Sequence, residues 1–262
     1  MEYYHSKYGS RRKRKRPRWM RFLLWFLFLI IIASLVAGYF LYQVIYSDNV
    51  WSPEGKAVSL YIPGDATFEE VKQSLYSKGV IENRSTFEWL AKRKKYPELI
   101  KPGHYLIKDG MSNDELINML RLGKQTPVQV IFNNIRTKQQ LAKNVGKQIE
   151  ADSSALIKLM NDSVYQASLG LGTETALALF IPNTYEFYWN TSAEQFMDRM
   201  HREYRLFWDG SRDGKATALD MSRPEVVIMA SIVEKETNKN DEKAKIAGVY
   251  LNRLERNWLL QA

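Results

Sequence analysis

The sequence contains no cysteine. That excludes disulfides, a thiolate nucleophile and any Cys-ligated metal. Histidine is scarce too. His5, His104 and His201 share no metal-ligand spacing, so neither a structural metal nor a cofactor is expected. An excess of one charge is also missing from most of the chain. Residues 1–21 hold nine Lys/Arg against Glu2 and contribute +8 of the net +9. The remainder is close to neutral, which argues against nucleic acid as its main partner. From Phe22 to Tyr46 charge is absent altogether.

That uncharged run, FLLWFLFLIIIASLVAGYFLYQVIY, is long enough to cross a bilayer, which takes about 20 helical residues. The apolar region of a cleavable signal peptide is usually only about 7–15 residues, and no small-x-small site follows this run. The basic cluster directly before it predicts a single-pass anchor in the cell (inner) membrane, with residues 1–21 cytoplasmic and Ser47 onward outside. Trp19, Trp25, Tyr39, Tyr42 and Tyr46 lie near the two ends, where an interfacial aromatic belt would sit. The basic run also fits a nucleic-acid- or lipid-binding tail.

Beyond the anchor, residues 47–56 are polar, contain Pro53 and Gly55, and read as a linker. Val58 to Ile62 alternates like a strand and is followed by a Pro63-Gly64 turn. Thr67 and Glu70 form a capping box that opens a helix carrying Val71 and Leu75. Ser85/Glu88 and Ser112/Glu115 suggest two further boxes, with a turn and strand from Pro102 to Ile107 between them. Gly123 ends the third helix. A second strand at Val128 to Phe132 and a helix opened by Thr137 repeat the first strand–helix unit at an offset of 70 residues. Ala151 to Asp220 reads as mostly helical, broken near Gly172, at Pro182-Asn183-Thr184 and between Gly210 and Gly214. The fold class expected is α+β.

The most informative stretch is Met221 to Thr237. Ser222 and Glu225 form a capping box, and Pro224 suits a first turn. At 100° per residue, Val226, Met229, Ile232 and Val233 make one apolar stripe. Glu236 falls roughly 20° from Met229, inside that stripe, whereas Glu234 falls on the opposite side. A carboxyl in apolar surroundings at the negative end of a helix dipole stays protonated more readily and can act as a general acid. A core ion pair of Glu236 with Arg253 or Arg199 fits the pattern as well.

Two segments, Ala230-Ser-Ile-Val-Glu-Lys-Glu-Thr237 and Ala247-Gly-Val-Tyr-Leu-Asn-Arg-Leu254, resemble the endolytic murein transglycosylases of the YceG-like family. Pro102-Gly103-His104-Tyr105 resembles that family's Gly-x-Tyr strand, and Pro182-Asn183-Thr184-Tyr185 its Pro-Asp-Thr-Tyr turn, with Asn183 standing where the family has Asp. The resemblance implies endolytic cleavage of peptidoglycan glycan strands between N-acetylmuramic acid and N-acetylglucosamine, leaving 1,6-anhydromuramyl ends. It implies Glu236 as the catalytic residue and Asn183, Thr184, Tyr185, Asn252, Arg253 and Gln261 as substrate contacts. Cell-wall synthases are the further partners such a role suggests.

The resulting expectation is a cytoplasmic tail at 1–21, a transmembrane helix at 22–46, a linker at 47–56, a small LysM-like α+β module at 57–126 and a mixed, largely helical catalytic module at 127–262. In the family the chain continues past Leu259-Leu-Gln-Ala262 with an Asp-Pro-Thr segment, so the resemblance implies a catalytic module incomplete at its C-terminus. The competing reading is a non-catalytic, membrane-anchored protein that binds peptidoglycan or acts as a scaffold.

Overall fold

An apolar helix, α1 (Arg18–Tyr46), opens the computed structural model, which describes residues 18–260. It is long and apolar enough to cross a membrane, and its side chains from Phe22 to Phe40 are exposed. The basic residues before Arg18 and the C-terminal Gln261 lie outside the described residues.

The first folded unit begins where α1 ends. Strand β1 (Val58–Ile62) is followed by α2 (Phe68–Ser77), α3 (Arg84–Arg93), β2 (Gly103–Ile107) and α4 (Asn113–Leu122). β1 and β2 pair antiparallel, with Leu60 opposite Tyr105. Strand alternation turns Leu60 and Ile62 inward and Tyr61 outward. Val71 and Leu75 from α2, Phe87 from α3, and Leu116 and Leu120 from α4 close one core over these strands. The Thr67 and Ser112 capping boxes both form. The box expected at Ser85 does not. α3 starts two residues earlier, and Asn83 caps it by accepting from the Thr86 amide at 3.1 Å. Gly123 takes φ +69° at the end of α4, the left-handed cap its position requires.

Residues 47–56 are not a free linker. Asn49, Val50 and Ser52 are buried, and Asp48 and Val50 bridge to Ser112 and Ile81. The Asn49 amide donates to Asn113 Oδ1 at 2.7 Å, and the Asn113 amide donates to the Val44 carbonyl of α1 at 2.9 Å. Buried amides need such partners, and here they clamp the anchor to the unit.

The second unit starts at β3 (Val128–Ile131) and runs through α5 (Lys138–Gly146), α6 (Ser153–Asn161), α7 (Ser163–Ser168), β4 (Thr184–Phe187), α8 (Ala193–Phe207) and α9 (Gly210–Ala218). β4 falls inside the region 151–220 that the sequence predicts as mostly helical. It pairs antiparallel with β3, Ile131 opposite Thr184 and Val130 opposite Tyr185. The offset-70 correspondence appears in the local structure: Thr67 and Thr137 cap their helices, and Val71/Leu75 and Leu141/Val145 are buried at matching positions. The core is aromatic at its centre, where Phe196 meets Phe187 at 5.1 Å and Phe180 at 6.1 Å.

The last elements are α10 (Arg223–Glu236) and α11 (Asn240–Glu255). Val226 and Val227 pack α10 on the second core. Arg223 forks onto both carboxylate oxygens of Asp213 in α9, Nε to Oδ1 at 2.7 Å. Between α10 and α11 lies a small cluster of its own, formed by Met229, Val233 and Tyr250. The two larger units meet where the Gly64 amide donates to Glu150 Oε1 at 2.9 Å and Tyr61 lies 5.3 Å from Trp189.

Candidate functional site

Helix α10 is built to end at Glu236. Its N-terminus is fixed by Glu225, which accepts from the Ser222 amide at 2.7 Å and the Ser222 hydroxyl at 2.6 Å. Those bonds, the hydroxyl's first, hold the Glu225 carboxyl below its ordinary range. Thr237 leaves the helix in an extended conformation (φ −150°). Its hydroxyl donates to Glu242 Oε2 at 2.8 Å, which sets the start of α11.

Glu236 points toward α11 as its helical face predicts. The Tyr250 hydroxyl donates to Glu236 Oε1 at 3.0 Å, next to the Met229–Val233 contact. Burial first, then this bond to the carboxylate, pushes the Tyr250 phenol upward. The Arg253 guanidinium lies 5.7 Å from the centre of the Tyr250 ring and donates to the Leu260 carbonyl.

The surroundings of Glu236 differ from the apolar pocket the sequence suggested. The side chain is exposed, because the helix ends there and no element covers that end among the described residues. The core ion pair does not form either. Arg199 pairs with Glu203 at 2.6 Å, and Arg253 is engaged with Tyr250 and Leu260. Among the described residues Glu236 has no cationic partner, and its Oε2 makes no hydrogen bond. A carboxylate oriented on one oxygen and open on the other can exchange a proton with a bound ligand. Glu234 is exposed on the far side of the helix and makes no hydrogen bond among the described residues, while its neighbour Lys235 donates to Asn134 Oδ1 at 3.0 Å.

The Lys235 bond locates the other expected residues. Asn134 follows β3, whose Ile131 faces Thr184. Asn183 and Thr184 therefore lie at the end of the β3–β4 ribbon nearest the loop that reaches α10. Both are exposed, and Asn183 Oδ1 accepts from the Thr184 amide at 2.8 Å. Tyr185 is a core residue instead of an open contact. It is buried, stacks on Phe132 at 5.6 Å and donates to the Ile181 carbonyl at 2.7 Å. Burial pushes its phenol up to about 12. Asn252 is exposed on α11, beside Arg253 in sequence. Gln261 lies outside the described residues.

Tyr250, whose hydroxyl donates to Glu236, is not among the site residues expected from the sequence. The available signal was its hydroxyl: a buried tyrosine needs an acceptor, and the carboxylate expected on the facing stripe was Glu236.

A sequence profile described as the YceG-like family matches residues 60–262. A protein of Streptococcus pneumoniae R6 named endolytic murein transglycosylase is 27% identical over 90% of this chain and 48% of its own length. One of the same name from Bacillus subtilis 168 is 21% identical over 87% of this chain and 67% of its own. The crystal structure of a YceG-like protein from Listeria monocytogenes aligns with a TM-score of 0.49 and 25% identity, covering 79% of this chain and 73% of that one. The chain spans about half the length of the pneumococcal relative. The profile match extends over most of the sequence, from β1 through both helices of the Glu236 hairpin, and this chain belongs to the YceG-like family.

Proposed function

We propose that the protein is an endolytic lytic transglycosylase of peptidoglycan in which Glu236 is the general acid and then the general base. The observation that carries this reading is the Glu236 carboxylate, oriented by Tyr250 at Oε1 and, among the described residues, open at Oε2. Ordinary glycosidases need two carboxylates, one as acid and one as base or nucleophile. A lytic transglycosylase needs one. Glu236 gives its proton to the oxygen of the leaving N-acetylglucosamine as the glycosidic C1–O bond breaks. The C6 hydroxyl of the N-acetylmuramic acid then attacks C1, and the Glu236 carboxylate takes the hydroxyl proton. The enzyme returns to its starting state, no water is consumed, and the product is a 1,6-anhydro end. Asn183, Thr184, Asn252 and Arg253 are the polar groups on which sugars would be positioned.

The family membership and the names of the relatives support this activity. The β1–α2–α3–β2 order supports reading residues 57–126 as a LysM-like module that binds glycan. The separate cores support residues 127–262 as the catalytic module. Helix α1 is read as a single-pass anchor in the inner membrane, with the basic tail cytoplasmic and both modules outside, where peptidoglycan is.

The test is the chemistry of the ends. Purified protein incubated with isolated sacculi should release fragments with 1,6-anhydromuramyl termini, read by mass spectrometry, and no matching rise in reducing ends. New reducing ends would make it a hydrolase. Binding without any new ends would return it to the scaffold reading.

A further inference from the structure

The outer part of α1 does not stand clear of the folded chain. Ile45 packs on the first core, and Asn113 donates to the Val44 carbonyl. Between the two lies an open groove of about 480 Å³. Ala37, Phe40, Leu41 and Val44 of α1 form one wall, and Ser85, Thr86 and Trp89 of α3 the other. The face of α3 opposite the groove is consumed by the core, through Phe87, Leu90 and Ala91. Trp89 is left 46% exposed on the groove side.

The level of that groove follows from α1. About 20 residues cross the hydrocarbon layer. Counted from Phe22, the first residue after Arg21, the outer boundary falls near Leu41, which is in the groove wall. Trp89 is therefore at the depth where indole rings concentrate, apolar body inward and N–H toward the headgroups. Lys92 and Arg93 follow at i+3 and i+4, on the same side of α3, and both are exposed. The basic neighbour Lys94 is instead paired with Asp114, and the acidic neighbour Glu88 is occupied by Tyr76 at 2.8 Å and Lys72 at 3.5 Å.

We propose that α3 docks on the outer leaflet of the membrane that α1 crosses. Trp89 sits at the hydrocarbon boundary, a lipid chain fills the groove, and Lys92 and Arg93 meet lipid phosphates. The Asn49–Asn113–Val44 clamp makes this a fixed seat, since the segment that could have been a flexible tether is built into the core. The inference rests on reading α1 as a membrane span.

The absence of native cysteine makes the test clean. The full chain is reconstituted in vesicles containing phosphatidylglycerol, with a nitroxide on a single introduced cysteine. Phe28→Cys reports on the span, Ser85→Cys on the groove with Trp89 left in place, and Leu206→Cys on exposed α8. Spin-label access to oxygen and to an aqueous nickel chelate gives the depth of each. The expected result is a label at 28 deep in lipid, one at 85 severalfold less accessible to nickel than at 206, and a shift of the 85 label toward water in Lys92→Glu/Arg93→Glu. A lipid-buried 28 with 85 as accessible as 206 overturns the docking while leaving the span intact. A water-accessible 28 overturns both, and an 85 label that ignores the charge reversal removes the headgroup contact.

Discussion

Glu236 and Tyr250 form a pair in which one side chain orients the other. The Tyr250 ring packs with Met229 and Val233 while its hydroxyl reaches the carboxylate at 3.0 Å. A hydrogen bond to a charged group contributes about 1.5–3 kcal/mol. Tyr250→Phe keeps the ring and removes the bond, so kcat should fall on the order of ten- to a hundredfold. Steady-state release of anhydromuramyl fragments measures this, and unchanged turnover would mean that the hydroxyl does not position Glu236. Phe196 has a purely structural part. It is fully buried among Phe132, Phe180 and Phe187. Phe196→Ala should cost about 3–5 kcal/mol in urea unfolding, and a loss below ~1 kcal/mol would show that the aromatic cluster collapses around the gap. At this scale the sequence was legible where angle alone mattered. The helical face of Glu236 was correct, and its burial was not, because burial depends on what covers the end of α10.

Among the elements, α10 carries the candidate site, and its start should respond to pH. Glu225 is held below its ordinary value of 4.5 by Ser222. A carboxyl with a lowered folded pKa contributes stability that is present above the unfolded value and is lost as pH falls through the folded one. Hydrogen-exchange protection of α10 amides should therefore drop as pH is lowered from about 4.5, and Glu225→Gln should flatten that dependence. A wild-type profile that is flat below 4.5 would contradict the capping account. Helices were the readable elements, since capping residues and 3.6-residue spacing are local signals. β4 was not read because its register partner, β3, is more than fifty residues away and Pro182-Asn183 looked only like a helix break. The inward Tyr185 and Phe187 alternating with outward Thr184 and Glu186 were the signal present. The segment 47–56 misled for the opposite reason. Its polar composition suits a linker, yet Asn49 and Ser52 are buried with their hydrogen bonds made by residues far along the chain.

At the scale of the whole molecule, an apolar helix leads without a loose joint into a βααβ unit, then into a helical unit that presents the Glu236 hairpin. The uncharged run from Phe22 to Tyr46 was enough to expect a helix of membrane-spanning length, and α1 is such a helix. The junction between units, Tyr61 on Trp189 and Gly64 on Glu150, could not be read, because no local pattern encodes a contact between residues so far apart.

Whether the Glu236 carboxylate alone carries the proposed cleavage is read most directly from the rate of 1,6-anhydromuramyl end formation on purified glycan strands by wild type, Glu236→Gln and Glu234→Gln. Gln keeps the size and the hydrogen bonding of Glu236 but cannot donate the proton. Glu236→Gln should lose roughly 10²–10⁴ in rate. It should melt at the wild-type temperature, since no ion pair is broken, and Glu234→Gln should cut normally. A Glu236→Gln protein that cuts at the wild-type rate would contradict the proposed role of that carboxylate.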